Sequence, residues 1–404
     1  MTKLLPLYLA VLACLPGLGL NLAGIHLSPP ATAAIAGVAI LGASFLLLWA
    51  CDVAQSDIPQ ALALAVVAFI AVLPEYAVDM YFTWMAGKHP ESDYASYAIA
   101  NMTGANRLII GVAWSAVVFL AWWRTRRAIV LDQDRRTDVL FLGLATLYSL
   151  VIPLKGSLAW YDGLVLVALY AWYIRIAAKR PCVENELEGP AAVLGRLPQG
   201  QRRLATLLLF LFSAGVILAN AEAFSEGLVA TGRQFGINEF LLVQWLAPLA
   251  SESPEFIVAI MFTLRGHASV ALASLLSSKL NQWTLLVGMI PAVYGVSAGS
   301  FAQPFPMGEF QMKELLLTSA QSLLAVGLLA DLRLSVREAS VLLALFSVQF
   351  IAPAIPGNWL EILRVPATGQ EIHFMTSAAY FLAFFLLVPR RGRDMLWLRR
   401  GLRP

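Results

Sequence analysis

The segment Ser253-Pro254-Glu255 and the stretch after it, GHASVALASLLSSKLNQWTLLVG (266–288), decide the fold of this chain. They place a proline and a carboxylate inside one apolar run and small, hydroxyl-bearing residues inside the next. An earlier pair of runs has the same order, with Leu73-Pro74-Glu75 followed by ANMTGAN (100–106). The repetition of this unusual pair predicts two copies of one helical unit.

The composition indicates that these runs lie in a membrane. Hydrophobic residues make up 59% of the chain and charged residues 13%, whereas soluble domains carry roughly 25% charged residues. We therefore predict an all-α polytopic membrane protein. The three cysteines predict neither a disulfide framework nor a zinc site. Twelve apolar segments are candidate spans: 4–26, 31–51, 58–86, 93–123, 138–153, 158–178, 204–233, 240–264, 266–295, 313–330, 337–356 and 370–389.

Basic residues predict the orientation of the spans. Arginine and lysine concentrate in the loop 124–136, the linker 179–203, the turn 333–337 and the tail 390–403. Alternating spans place all four on one side, which we predict to be cytoplasmic, with both termini, in a multi-pass plasma (inner) membrane protein. The spans that hold Glu75 and Glu255 then run in opposite directions, so the two copies are inverted. An alternative is that Lys3 and Cys14 belong to a cleaved lipoprotein-type signal, although the apolar run continues to Ile25.

A proline beside a glutamate at mid-span has a direct chemical use. Proline removes one backbone N–H and leaves the carbonyl one turn earlier without its donor. That carbonyl and the carboxylate together supply the oxygen ligands that hard cations prefer. A carboxylate at this depth costs at least about 2.5–3.5 kcal/mol, so it normally faces a cavity or a partner. Two such carboxylates at matching positions predict an ion site.

These motifs resemble the alpha repeats of the cation/calcium antiporter superfamily, which includes sodium/calcium exchangers. The family pattern is G-T-S-L-P-E on one helix and G-N-x-x-G-S-N-x-x-N/D on the next. The segment Asn220–Gly227 also resembles the preceding family helix, G-A-D-L-L-V-D-G. The resemblance covers about residues 31–356. It implies a ten-helix exchanger core of two inverted five-helix repeats, plus extra N- and C-terminal transmembrane helices.

The domains that follow from it are an extra helix at 1–30, a first repeat at 31–178, a cytoplasmic linker at 179–203, a second repeat at 204–356, and an extra helix with a basic tail at 357–404. The resemblance also implies that the helices with Glu75, Asn101, Glu255 and Ser278 enclose the ion, with Glu75 and Glu255 as metal ligands. We expect these two carboxylates to approach each other about a pseudo-two-fold axis. The full set of implied ion-binding residues is Glu75, Asn101, Asn106, Ser251, Glu252, Glu255, Ser278 and Gln282.

The chain departs from the family pattern at several of these positions. Ala71, Val72, Ala105 and Ile109 replace oxygen-bearing residues of the first copy. Such losses weaken a calcium site, because calcium takes six to eight oxygens.

Three charged residues are predicted to modify the site. Lys279 replaces an asparagine, Arg107 follows Asn106, and Asp79 lies one turn after Glu75. We expect Lys279 to face Glu252 or Glu255 and Arg107 to pair with Glu75 or Asp79. The alternatives are that Lys279 extends toward a membrane interface and that Asp79 is a span-end residue near the interface. In the first case, an ammonium beside the carboxylates would compete with a divalent ion, which predicts a preference for monovalent cations or protons over calcium.

The resulting hypothesis is a secondary active cation antiporter that exchanges sodium, protons or calcium by alternating access. Its partners would be the lipid bilayer and small inorganic cations, without nucleic acid and with no cofactor beyond the transported cation. The alternative is a transport-inactive member with a structural or regulatory role. An intramembrane enzyme is disfavoured, because no catalytic grouping is present.

Two further groups of ionisable residues leave alternatives open. Glu222 and Glu226 lie on one helix face, either near the ion pathway or paired with Arg233. The four histidines fall at predicted loops or span ends and are expected to be interfacial.

Overall fold

The computed structural model of the chain describes residues 4–25, 27–57, 72–179, 187–351, 369–387 and 391–402. Each of the twelve predicted segments contains a helix, so the all-α fold is confirmed. Two short strands, β1 (Ile129–Val130) and β2 (Arg333–Leu334), pair antiparallel and join two loops. The α-helices in chain order are α1 (Leu5–Ala23), α2 (Pro29–Ala54), α3 (Leu73–Lys88), α4 (Tyr94–Leu108), α5 (Ser115–Thr125), α6 (Arg136–Ser149), α7 (Val151–Lys155), α8 (Trp160–Ala177), α9 (Gly189–Leu194), α10 (Gln199–Phe235), α11 (Glu239–Leu264), α12 (Ala268–Asn281), α13 (Val287–Ala298), α14 (Glu309–Leu328), α15 (Val336–Ile351), α16 (Gly369–Leu387) and α17 (Gly392–Leu398).

Several helices are long and apolar enough to cross a membrane unaided. Among the described residues, five stretches qualify: Leu5–Ala23, Pro29–Ala54, Tyr94–Thr125, Gln133–Lys155 and Gln199–Phe235. A sixth is Glu371–Leu387 with Gly392–Leu402, if that pair, bent by 100°, counts as one span. Helix α11 falls outside this set although it has 26 residues. It carries the polar Ser-Glu-Ser-Pro-Glu segment (251–255), which a lipid-facing helix does not tolerate.

The described chain forms two compact units, which do not follow the two halves of the sequence. Unit 1 contains Met1–Asn101 and Ile174–Pro254, and unit 2 contains Met102–Tyr173 and Glu255–Pro404. Each unit therefore takes helices from both predicted repeats, and α4, α8 and α11 each contain a boundary between units. The predicted domain boundaries remain a prediction.

Unit 1 is built around the packing of α10 along α2, with α1 against α2. Small residues allow the close approach of α10 and α2. A Cβ on Gly227 would lie 2.8 Å from the backbone nitrogen of Ala33, so this glycine is required by backbone contact. Cys14 of α1 is completely buried, and its thiol lies against the backbone carbonyl of Ala39 at 3.6 Å. The first predicted span thus packs into the core of unit 1.

Unit 2 is centred on α14, which packs most extensively against α16 and also against α6. The hydroxyls of Ser149 and Ser319 lie 2.9 Å apart at the contact between α6 and α14. The C-terminal tail is held to α6, because the Thr137 hydroxyl donates to the Gly401 carbonyl at 2.8 Å. The additional C-terminal helix is therefore an integral part of unit 2.

The helices of the repeated motif are interrupted at matching places. A π-helical segment, Ile109–Trp114, follows α4, and a second, Gln282–Leu286, follows α12. Ile109 and Gln282 occupy the same position in the two copies of the motif. π-Helical turns inside α-helices widen the backbone and are frequent at functional sites. The repeat is therefore visible in backbone geometry as well as in sequence.

Candidate ion-binding site

The first carboxylate, Glu75, lies in the first turn of α3 and is 2% exposed. Helix α3 begins at Leu73, and Pro74 is accommodated because the first residues of a helix have no intrahelical partner for their N–H groups. The start of a helix carries partial positive charge, which favours a carboxylate. Ala71 of the predicted motif lies outside the described residues.

Asp79 and Asn101 form a buried polar pair in unit 1. Both side chains are completely buried, and the Asn101 amide donates to Asp79 Oδ1 at 2.6 Å. Within the described part of the chain, Asp79 Oδ2 and Asn101 Oδ1 have no hydrogen-bond partner. Buried oxygens without a donor normally have a water or an ion as partner. These two oxygens of adjacent motif helices therefore suit a cation.

Ser251 and Glu252 lie in α11, between two prolines inside the helix, Pro248 and Pro254. Both residues are buried. The Ser251 hydroxyl donates to the carbonyl of Ala247 at 3.2 Å. Pro254 has no N–H for the carbonyl of residue 250, so that carbonyl lacks its intrahelical donor. This part of unit 1 thus combines a carboxylate with backbone oxygen.

In unit 2, the partly buried Glu255 carboxyl lies beside the hydroxyl of Ser278. The two helices of the second motif thus present these two polar residues to each other. Gln282 is completely buried and begins the π-helical segment one turn further on. Among the described residues, no group of three or more His, Cys, Asp or Glu side chains could hold a metal ion.

Lys279 contacts Asn106, a partner that the sequence did not predict. Its ammonium is completely buried and donates to Asn106 Oδ1 at 2.7 Å. It also lies 4.2 Å from the ring centroid of Trp283, one turn along the same helix. Asn106 and Lys279 occupy the same position in the two motif copies.

The expectation that Glu75 and Glu255, in units 1 and 2, approach each other stays a prediction.

Arg107 pairs with Glu314, a residue that the sequence analysis does not single out. Both side chains are completely buried, and Arg107 Nη2 contacts Glu314 Oε2. The other oxygen of Glu314 contacts Nδ1 of His373 on α16. His373 is 3% exposed and therefore packs inside the protein, while its predicted place near the membrane interface stays a prediction. Three helices of unit 2 thus share one buried charged cluster.

The position of Glu314 explains why it was missed. The apolar run begins next to it at residue 313, which suggests a span end. Helix α14 begins earlier, at Glu309, where the Gln311 side chain accepts the backbone N–H of Gly308 at 3.0 Å. This capping signal (Gly308-x-x-Gln311) could have placed Glu314 inside the helix.

Glu226 of α10 is held by two phenols. Its Oε1 accepts hydrogen bonds from Tyr81 at 2.9 Å and from Tyr94 at 2.7 Å. Arg233, the partner considered from the sequence, lies 3.3 Å from Glu239 instead. Glu226 therefore links α10 to α3 and α4 within unit 1.

Comparison with known proteins identifies the family. Residues 29–179 and 205–352 match the family model described as sodium/calcium exchanger protein. The chain belongs to the sodium/calcium exchanger family. The exchanger is accordingly a multi-pass membrane protein and a secondary active cation antiporter. Nothing in the comparisons favours a transport-inactive or a catalytic protein.

Three relatives show how far the likeness extends. An H+/Ca2+ exchanger of known crystal structure, CAX, shares 43% sequence identity with this chain. The match has a TM-score of 0.91 and covers 100% of this chain and 98% of that protein's chain. The sodium-calcium exchanger NCX_Mj is 19% identical, with a TM-score of 0.52 over 85% of this chain and 99% of that one, and so shows the fold alone. An uncharacterized membrane protein of Methanocaldococcus jannaschii is 23% identical over 63% of this chain and 74% of that protein.

Proposed function

We propose that this exchanger moves calcium across the plasma membrane in exchange for protons, by alternating access. The observation that carries this proposal is the 43% identity to an H+/Ca2+ exchanger over the full length of the chain. Lys279 in the second motif had predicted a preference for protons or monovalent cations over calcium. The relative supports protons on one side of the exchange and calcium on the other.

The chemistry of the candidate residues fits both ions. Glu75, Glu252 and Glu255 are carboxylates that hold either a proton or part of the coordination of calcium. Within unit 1, the buried oxygens of Asp79 and Asn101 without a donor offer one charged and one neutral ligand. Within unit 2, the Ser278 hydroxyl lies beside the Glu255 carboxyl. Protonation of a carboxylate removes the charge that binds calcium, so the two ions compete for the same groups. Competition of this kind is the basis of exchange.

The experiment uses purified wild-type protein in proteoliposomes with calcium outside. An acidic interior is expected to drive calcium uptake and to raise internal pH as protons leave. A sodium-loaded interior at equal pH on both sides is the matched control and is expected to drive little uptake. Calcium uptake that follows the sodium gradient and ignores the pH gradient would overturn the proposal.

The topology that we propose puts the central linker and both termini in the cytoplasm. The test is Glu186→Cys in a variant whose three native cysteines are replaced by alanine. An impermeant thiol reagent is expected to label position 186 in inverted membrane vesicles and not in intact cells. Labelling from outside intact cells would contradict this orientation.

A further inference from the structure

The last described segment of the chain turns away from the helix before it. Helix α17 continues into a short turn, Arg399–Leu402, and the direction changes by 100° between Glu371–Leu387 and Gly392–Leu402. The predicted span 370–389 crosses the membrane, so a segment nearly perpendicular to it lies along the membrane surface. The basic tail 390–403 places this surface on the side that we predict to be cytoplasmic.

One face of this segment is fixed to the body of unit 2. Leu398 is 5% exposed. Gly401 packs so closely on α6 that a Cβ there would lie 3.0 Å from the backbone nitrogen of Thr137. At the start of the segment, Arg391 lies 3.3 Å from Asp331. The segment is therefore held in one orientation, and its other face points away from the protein.

The outward face combines large apolar side chains with arginines. Arg393, Leu396 and Trp397 have the spacing i, i+3 and i+4, so they share one face of α17, and all three are exposed. Leu396 is 61% exposed and Trp397 is 47% exposed. Arg399 and Arg400 follow and are also exposed. The Arg400 guanidinium lies 4.3 Å from the centroid of the Trp397 ring.

This combination suits the boundary between lipid and water. Arginine is unfavourable inside the hydrocarbon layer, and leucine and tryptophan lose the stabilisation of burial when they face water. At the interface, tryptophan lies at the level of the headgroups, and guanidinium groups donate paired hydrogen bonds to phosphate. The described segment 391–402 holds four arginines and one aspartate. Its excess of positive charge favours negatively charged headgroups.

We propose that the outward face of α17 binds anionic phospholipids of the surrounding bilayer, with Leu396 and Trp397 at the acyl boundary. Arg393, Arg399 and Arg400 contact the phosphates. The occupant is lipid and not a soluble acidic protein, because the face is partly apolar and lies along the membrane surface next to a span. No candidate ion ligand belongs to this segment, so the proposal holds whichever ions are exchanged.

The test uses the full-length protein in neutral detergent, with an environment-sensitive dye attached at position 396 of Leu396→Cys in a variant whose three native cysteines are replaced by alanine. Phosphatidylglycerol is expected to move the dye into a less polar environment, and phosphatidylcholine is expected to have little effect. Arg393→Gln with Arg399→Gln is expected to require about 25-fold more phosphatidylglycerol, since each arginine near an anionic surface contributes about fivefold. Arg393→Lys with Arg399→Lys keeps both charges and is expected to stay within about threefold of the protein with both arginines. The matched control is Arg124→Gln with Arg127→Gln, which removes two exposed arginines from another loop and is expected to change nothing.

Three results would overturn the proposal. The first is an equal response of the dye to phosphatidylglycerol and phosphatidylcholine. The second is a response to phosphatidylglycerol that Arg393→Gln with Arg399→Gln leaves intact, or that the control pair weakens as much. The third is the same response to inorganic phosphate alone, which would assign the arginines to free phosphate. Calcium uptake is not the readout, so a failure of calcium–proton exchange leaves this test intact.

Discussion

Replacement of Glu255 by glutamine is expected to lower proton-driven calcium uptake at least about 100-fold. Glutamine keeps the shape of the side chain and removes its charge and its proton. A unit charge about 4 Å from a cation contributes roughly 4 kcal/mol at an effective dielectric constant of 20, and each 1.4 kcal/mol corresponds to a tenfold change. The same loss is expected for Glu75→Gln, because the two residues occupy matching positions of the repeat. The measurement is initial calcium uptake into proteoliposomes with an acidic interior.

Glu309→Gln is the matched control for both variants. Glu309 is a glutamate at the start of α14, and its side chain is 81% exposed beside Lys313. Its replacement is expected to leave uptake unchanged. Uptake by Glu75→Gln or Glu255→Gln at the level of Glu309→Gln would contradict the assignment of that carboxylate to the ion site.

The sequence predicted the helices and their polar motifs well because both depend on local patterns. Apolar runs located the helices, and the two proline–glutamate pairs lie at the start of α3 and inside α11. The resemblance named Glu255 and Ser278 as residues of neighbouring motif helices, and the Glu255 carboxyl lies beside the Ser278 hydroxyl. Predicting these features requires only the sequence of one helix and its neighbour along the chain.

Contacts between helices distant in sequence could not be predicted in the same way. The expectation that Lys279 faces a glutamate stays a prediction, and its contacts with Asn106 and Trp283 were not foreseen. The sequence contained one signal for this contact, since equivalent positions of an inverted repeat meet where they lie near the symmetry axis. No such signal pointed from Arg107 to Glu314, because Glu314 has no counterpart in the repeated motif. Burial of that pair depends on how α4, α14 and α16 pack.

Removal of either member of the Arg107–Glu314 pair is expected to destabilise the protein by about 3–5 kcal/mol, since it leaves the other charge buried without its counter-charge. Both side chains are completely buried, and the carboxylate also contacts His373 of the additional C-terminal helix. The variants are Arg107→Met and Glu314→Leu, measured by reversible unfolding in mixed detergent micelles. The pair Glu309–Lys313 on the same α14 is the matched control, because the Glu309 side chain is 81% exposed. Glu309→Ala is expected to change the free energy of unfolding by less than about 1 kcal/mol.

The double variant Arg107→Met with Glu314→Leu distinguishes loss of charge pairing from loss of packing. When both charges are replaced by apolar groups, no buried charge of this pair remains, and such replacements are often neutral or stabilising. The double variant is therefore expected to be more stable than either single variant. If the three variants instead lose stability additively, the cluster stabilises unit 2 through side-chain volume and not through its charges. A single variant as stable as Glu309→Ala would show that Arg107 and Glu314 are not paired in the folded protein. The expected order of stability follows from electrostatics: the Arg107–Glu314 position tolerates both charges or neither, and a single charge left without its partner is destabilising.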